Sequence, residues 1–263
     1  MSRTAAKQQR DGAMLALGSL ALGGDVPRVA IGFSDDVIEA DLLDARRGGV
    51  DIAEVRIDLF RSIDPKDVIR KLELFKLLPT IATIRTKEEG GKWQGTEAQR
   101  IALFQKIIPH VDAVDVELSS LSKTASLITA AHKAGKLVVV SHHDFDRTPK
   151  AAELERIVSA AKKAGADIVK IATHVESDSD VRALASLFTD AQRNLVVIGM
   201  GPKGLVTRLS FPALGSLMTF AMFGGVQTAP GQIPYSDMME HLRLLYPAYN
   251  EEKITKLKLL ECA

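Results

Sequence analysis

Two side chains capable of covalent and acid–base chemistry occur in short runs of otherwise small or β-branched residues. Lys170 interrupts the segment DIVKIA, and His143 follows the segment LVVVSH. A lysine that is removed from water and lies near other cations becomes a nucleophile toward carbonyl carbons. A histidine within reach can move the protons of such a reaction. These residues predict an enzyme that forms a Schiff base on Lys170.

The strand-like segments separate their polar and apolar side chains onto opposite faces. In DIAEVRIDL, Glu54, Arg56 and Asp58 share one face, whereas Ala53 and Val55 lie on the other. The same alternation groups Thr83 with Arg85, Asp115 with Glu117, Ser141 with His143, and Lys170 with Ile168 and Ala172. The apolar faces suit packing against helices, so we expect the polar faces to point into the interior of a barrel.

Buried charges on these faces require partners. The carboxylates Glu54, Asp58, Asp115 and Glu117 roughly balance Arg56, Arg85 and Lys170, which makes burial feasible. We interpret Asp58 and Asp115 as members of a structural salt-bridge network behind the reacting groups.

The two adjacent histidines must point in opposite directions. We expect His143 to face the interior and His142 to lie between the barrel and the helices as a hydrogen-bonded structural residue. His143, Asp144 and Asp146 match no strong metal-ligand spacing. We therefore expect no metal site.

The elements that position these residues predict a single (β/α)8 TIM barrel domain over residues 1–263. Residues 1–27 form an N-terminal extension with a β-hairpin that turns at Gly23-Gly24-Asp25, and residues 250–263 form a peripheral helix or tail. Thr148 and Pro149 are expected at the first positions of a helix that Gly165 ends. Eight predicted strands alternate with helical segments, and these strands are RVAIGF, DIAEVRI, TIATIR, AVDVEL, LVVVSH, DIVKIA, NLVVIGM and LMTFAM.

Composition favours a small-molecule substrate. The formal net charge is +1, so neither nucleic acid nor an acidic membrane is an expected partner. The only cysteine is Cys262, which excludes an internal disulfide and suits a reducing cytoplasm. The apolar stretch AMLALGSLALGG is interpreted as the hairpin rather than a signal peptide, and charges interrupt every segment that approaches bilayer-spanning length.

Several motifs in order along the chain resemble type I 3-dehydroquinate dehydratases. These are EVRID from Glu54, RTKEEGG from Arg85, SHHDF from Ser141, DIVKIA from Asp167, GMGPKGLVTRLSFPALGSLMTFA from Gly199, and TAPGQ from Thr228. The resemblance spans roughly residues 28–235. It implies a cytoplasmic shikimate-pathway lyase, commonly a homodimer, that removes water from 3-dehydroquinate without a cofactor and yields 3-dehydroshikimate.

The resemblance also implies a role for each matching residue. Lys170 forms the imine, His143 is the general acid and base, and Glu89 positions His143. Substrate contacts are implied for Glu54, Arg56, Arg85, Arg208, Thr228 and Gln232, with Arg208 at the substrate carboxylate and the last two in a lid. Thr207 and Thr228 replace the serines that the family usually has, and both keep a hydroxyl group.

Two other functions remain open from the residues alone. A class I aldolase would use the same Lys170 but would need a phosphate site near Gly199–Gly204. A barrel that binds a small acid without converting it would leave Lys170 unreactive. The motifs favour the dehydratase over both.

Overall fold

The structure is a computed structural model that describes residues 15–189, 194–225 and 227–261. Residues 1–14 of the predicted extension and Cys262 lie outside the described residues. The strands within them are β1 (Leu15–Leu17), β2 (Leu20–Leu22), β3 (Val29–Phe33), β4 (Ile52–Arg56), β5 (Thr80–Thr83), β6 (Ala113–Glu117), β7 (Leu137–Asp144), β8 (Ile168–His174), β9 (Leu195–Met200) and β10 (Thr219–Ala221). Eight of them are parallel and form one sheet in the order β10-β3-β4-β5-β6-β7-β8-β9. A bridge between Leu195 and Ser216 joins β9 to the segment before β10, so the barrel is nearly closed. The predicted (β/α)8 class is confirmed.

Helices follow the barrel strands and cover the outside of the sheet. Among the described helices, none combines the length and the hydrophobicity that a bilayer crossing requires. The helices are α1 (Glu39–Arg47), α2 (Pro65–Phe75), α3 (Glu97–Ile107), α4 (Leu121–Lys133), α5 (Ala151–Ala164), α6 (Asp178–Ala185), α7 (Leu205–Ser210), α8 (Tyr235–Leu245) and α9 (Pro247–Glu261).

Two apolar clusters hold the strands in register. Outward-facing residues such as Val55, Val140 and Ile171 pack against the helices. Inward-facing residues such as Ile52 and Ile168 fill the floor of the barrel. The period-two alternation of each strand therefore leaves the inward positions near the strand ends for polar side chains.

The N-terminal hairpin is present, but the predicted position of its turn is wrong. β1 and β2 pair antiparallel with Leu17 opposite Leu20, so the turn is Gly18-Ser19. Gly18 has φ +57°, a left-handed conformation that a two-residue hairpin turn needs and that glycine adopts without steric penalty. Gly23 and Gly24 follow the hairpin instead of forming its turn.

The predicted start of α5 is also wrong by two residues. Lys150, not Thr148, precedes the helix, whereas Gly165 ends it with φ +102° as expected. The Thr148 hydroxyl lies 2.6 Å from the His174 carbonyl oxygen and 2.9 Å from Thr173 Oγ1. Thr148 therefore joins the loop after β7 to the end of β8 instead of capping a helix.

The C-terminal helix α9 is anchored to the opposite end of the barrel from the polar strand ends. Lys253 is buried and donates hydrogen bonds to the Gly49 carbonyl at 2.7 Å and to Asp51 Oδ1 at 2.5 Å. Glu252 pairs with Arg28 at 2.6 Å. These contacts join α9 to the start of β3 and β4.

Candidate active site

One cavity of about 470 Å³, measured to its open mouth, lies at the carboxyl ends of the barrel strands. The structure brings all nine predicted site residues to its wall. They are Glu54, Arg56, Arg85, Glu89, His143, Lys170, Arg208, Thr228 and Gln232.

Lys170 lies inside the barrel, on β8, among two carboxylates and an aromatic ring. Its Nζ is 3.1 Å from Glu54 Oε1 and 3.4 Å from Asp115 Oδ2. It also lies 4.4 Å from the centre of the Phe220 ring. We expected cations next to this lysine, but the nearest charges are carboxylates, because Asp115 stands between Lys170 and Arg85.

His143 and Glu89 form a hydrogen-bonded pair beside Lys170. Glu89 Oε2 is 2.9 Å from His143 Nδ1 and 3.0 Å from the His143 backbone nitrogen. Because a carboxylate oxygen only accepts hydrogen bonds, Nδ1 carries the proton in this arrangement. His143 Nε2 then has a free lone pair and can act as a base.

Burial shifts the pKa of both partners of this pair toward the neutral form. It raises the pKa of Glu89 to about 7, against the opposing effects of Ser119 and Arg85. It lowers the pKa of His143 well below its ordinary value, and Arg85 and Lys170 lower it further. The imidazole is therefore uncharged at neutral pH, as a general base must be.

The guanidinium groups of Arg56 and Arg85 are held by carboxylates. Asp58 binds Arg56 through two hydrogen bonds of 2.9 and 2.8 Å. Asp115 and Glu117 lie 2.9 and 3.0 Å from Arg85. Asp58 thus contacts Arg56 without lining the cavity, as the salt-bridge interpretation predicts. Asp115 differs, because it contacts Lys170 itself.

Arg208 is a buried cation that contacts no carboxylate among the described residues. Its two terminal nitrogens donate to the Phe220 and Pro230 carbonyls at 3.2 and 3.0 Å. Within the part of the chain that the structure describes, its Nε has no hydrogen-bond partner. Burial lowers the pKa of Arg208 to about 10. An unpaired guanidinium at a cavity wall is suited to bind an anionic group.

Gln232 holds the loop that covers one side of the cavity. Its Oε1 accepts hydrogen bonds from the backbone nitrogens of Thr228 at 2.8 Å and Ala229 at 3.3 Å. Its Nε2 donates to Thr228 Oγ1 at 3.1 Å. A Cβ on Gly32 would lie 2.9 Å from Thr228 Oγ1, so this loop closes tightly on β3.

The other threonine substitution contributes to the same end of the barrel. Thr207 Oγ1 accepts from the Gly199 backbone nitrogen at 2.8 Å and donates to the Gly204 carbonyl at 2.7 Å. A serine could make both bonds, so the replacement preserves the local structure.

Sequence reasoning missed three residues around the site. Phe220 and Ser119 have no distinctive sequence pattern, and Arg100 lies on α3 among residues that alternate irregularly. Arg100 is wholly buried and lies 2.7 Å from Glu117 Oε2. The sequence offered one signal for Arg100. The helical pattern places this arginine on the side of the helix that faces the barrel.

His142 lies on the outer face of β7, as expected, but it is not the hydrogen-bonded residue that we predicted. Its Nε2 is buried and has no partner among the described residues. Burial lowers the pKa of His142, against the effects of Asp144 and Glu153. Within the described part of the chain, no three His, Cys, Asp or Glu side chains are grouped to hold a metal ion.

Comparisons with known proteins agree with this geometry. Residues 30–248 match the family model described as Type I 3-dehydroquinase. The 3-dehydroquinate dehydratase of Methanosarcina barkeri is 38% identical over 246 residues, which cover 88% of this chain and 100% of that protein. The enzyme of the same name from Methanococcus maripaludis is 35% identical over 218 residues, which cover 80% of this chain and 97% of that protein.

Solved structures show the same likeness. The 3-dehydroquinate dehydratase of Geobacillus kaustophilus superposes with a TM-score of 0.82 at 30% identity, covering 90% of this chain and 97% of that one. Because the family model spans most of the chain and a fully covered relative is 38% identical, this chain belongs to the type I 3-dehydroquinase family.

Proposed function

We propose that the protein removes water from 3-dehydroquinate through a Schiff base on Lys170. The observation that carries this proposal is the position of Arg208, a buried cation that contacts no carboxylate of the described ranges and lines the same cavity as Lys170 and the His143–Glu89 pair. The substrate has a carboxylate, a ketone and several hydroxyls, and the cavity offers a complementary group for each of them.

The first step joins the substrate to Lys170. The Lys170 ammonium gives one proton to His143, and the resulting amine attacks the ketone carbon to form a carbinolamine. His143 returns that proton to the carbinolamine hydroxyl, which leaves as water and gives a protonated imine. Glu54 and Asp115, at 3.1 and 3.4 Å from Nζ, stabilise this positive charge. Phe220 covers the amine with the face of its ring.

The second step forms the double bond. His143 Nε2 removes a proton from the carbon between the imine and the carbinol carbon, and the electron pair moves toward the imine nitrogen. The resulting enamine expels the neighbouring hydroxyl, which takes the proton from His143 and leaves as water. Another water then hydrolyses the imine and frees Lys170, so that the overall reaction releases one water.

The binding groups orient the ring for this proton removal. Arg208 binds the carboxylate, and the guanidinium of Arg56 together with Glu54 faces the hydroxyls. Arg85 lines the same cavity and is held in place by Asp115 and Glu117.

The backbone near Gly199–Gly204 disfavours the aldolase. The nitrogen of Gly199 donates to Thr207, that of Gly201 to the Pro230 carbonyl, and that of Gly204 to the Gly201 carbonyl. These N–H groups are engaged within the protein, whereas a phosphate site needs them directed at the ligand.

Incubation with 3-dehydroquinate tests the proposal. Dehydration produces a conjugated enone whose ultraviolet absorbance rises with time, and borohydride reduction should attach the ligand to Lys170, as read by peptide mass analysis. Lys170→Ala should lose both signals, and Lys163→Ala, on the exposed face of α5, should keep them. An adduct without turnover would indicate a binding protein, and the absence of both signals in the unmodified protein would return the aldolase to consideration.

The resemblance further supports a cytoplasmic homodimer as part of the same proposal. Sedimentation equilibrium tests the oligomeric state, since a monomer of 28.5 kDa and a dimer are readily distinguished.

A further inference from the structure

Ser119 links the surface of the protein to the His143–Glu89 pair. It lies in the 3-10 turn Leu118–Ser120, directly after β6, and is itself exposed in an outer groove. Its hydroxyl donates to Glu89 Oε1 at 2.5 Å. The other oxygen of Glu89 receives both hydrogen bonds from His143. Each carboxylate oxygen of Glu89 therefore has its own donors.

Glu89 needs such a donor because its surroundings oppose ionisation. Burial is the largest influence on its pKa and raises it, and the Glu117 carboxylate acts in the same direction. Ser119 and then Arg85 act against this, together with the backbone N–H of His143. Among the groups that favour the ionised form, Ser119 acts most strongly.

The charged groups that face His143 cannot replace Ser119, because they do not orient the imidazole ring. Arg85, Lys170 and Arg56 disfavour a proton on the imidazole, whereas Asp115 favours one. None of these groups orients the ring, because the hydrogen bond that fixes Nδ1 comes from Glu89. The orientation of His143 thus depends on the ionised Glu89, which in turn depends on its donors.

We propose that Ser119 is a positioning residue for the dehydration, because its hydroxyl keeps Glu89 ionised and aligned to accept the Nδ1 proton of His143. His143 Nε2 is then unprotonated and faces the substrate. This inference rests on the proposed function. It assigns catalytic importance to a residue that touches neither substrate nor reacting atoms.

The test compares Ser119→Ala with Ser119→Thr, which retains a hydroxyl, and with Glu89→Gln. Removing one hydrogen bond to a charged group should move the acid limb of kcat/KM upward by about one pH unit. Near pH 7 this corresponds to a loss of roughly three- to tenfold in kcat/KM for Ser119→Ala. Ser119→Thr should retain most of the activity. Ser236→Ala, an exposed serine on α8, is the control and should match the unmodified protein.

A double-mutant cycle separates positioning from a local structural effect. In the Glu89→Gln background, Ser119→Ala should have little further effect, because the carboxylate on which Ser119 acts is already absent. Independent, multiplicative effects of the two substitutions would overturn the proposal. So would a Ser119→Ala variant whose pH profile equals that of the unmodified protein.

Nitrogen NMR of the His143 ring in the free protein needs no substrate. Ser119→Ala should alter the Nδ1 and Nε2 signals near pH 7, and Ser119→Thr should preserve them. Unchanged signals in Ser119→Ala would overturn the inference. If the unmodified protein fails to dehydrate 3-dehydroquinate, the proposed function fails, and the ring signals still decide whether Ser119 controls Glu89 and His143.

Discussion

Lys170 Nζ lies 3.1 Å from Glu54 Oε1, although the two residues are 116 positions apart in the sequence. Asp115, 3.4 Å from the same nitrogen, also contacts Arg85. All of these side chains are buried. The proposed nucleophile therefore also neutralises charge inside the barrel, so its removal should affect stability as well as catalysis.

Lys170→Ala should destabilise the protein by about 3 kcal/mol at pH 7, because buried carboxylates lose a partner. Burial raises the pKa of Asp115, but Arg85 and Lys170 hold it well below its ordinary value. A depressed pKa contributes stability that is present above the unfolded value, near 4, and is lost as pH falls toward the folded value. The difference between the two proteins should therefore shrink below about pH 4. Urea unfolding at several pH values measures it.

The control for this experiment is Lys163→Ala, which removes an exposed lysine and should change the stability by less than about 0.5 kcal/mol. A Lys170→Ala variant as stable as the unmodified protein at pH 7 would show that the pair with Glu54 and Asp115 contributes no net stability.

Arg208→Met should weaken substrate binding while leaving the free protein as stable or more stable. The desolvation that lowers the pKa of Arg208 to about 10 is uncompensated by any carboxylate among the described residues. Loss of a charge-assisted contact to the substrate carboxylate should raise KM by about 100-fold. Titration calorimetry with a non-reactive carboxylate analogue and thermal unfolding in its absence would measure both effects. Marked destabilisation without weaker binding would contradict this role.

The strand pattern made the barrel predictable because period-two alternation and βα repetition are local signals. All eight barrel strands appear where β-branched runs occur. The inward direction of Lys170 and His143 follows from the same alternation, since a strand offers only two faces. Glu89 and Arg208, by contrast, lie outside strands, and only the family resemblance pointed to them.

The wrong predictions concern choices that a short sequence pattern leaves open. Gly18 and Gly23 could each have formed the hairpin turn, and only the pairing of Leu17 with Leu20 decides between them. Thr148 was predicted as a helix cap, but its hydroxyl contacts Thr173 and His174 at the end of β8 instead. The partner of Ser119 is 30 positions away, so no local pattern could reveal it.

Arg100→Met should destabilise the protein by about 3 to 5 kcal/mol, because it leaves the buried Glu117 with fewer donors. Arg100 contacts Glu117 at 2.7 Å and the Ile84 carbonyl at 2.9 Å. Glu97→Gln weakens a more exposed contact of the same arginine and should cost less than about 1 kcal/mol. Chemical denaturation measures both variants. Equal, small losses would show that the Arg100–Glu117 pair is not the main support of α3 on the barrel.

Gln232→Ala should open the loop over the cavity and raise KM by about tenfold, with a smaller effect on kcat. The side chain is buried and makes the hydrogen bonds that hold the backbone of Thr228 and Ala229. Each hydrogen bond contributes about 1 kcal/mol when the loop is closed, so loss of these bonds favours open conformations that bind substrate poorly.

Thr228→Ser is the matched variant for this loop, because it keeps the hydroxyl that accepts from Gln232 Nε2 and removes only a methyl group. It should change KM by less than about threefold, since a single methyl contributes on the order of 1 kcal/mol or less at a half-buried position. Steady-state kinetics of both variants measure the contrast. The threonine methyl lies close to Gly32. If Thr228→Ser raised KM as much as Gln232→Ala, this methyl group would control closure of the loop, and the hydrogen bonds of Gln232 would not.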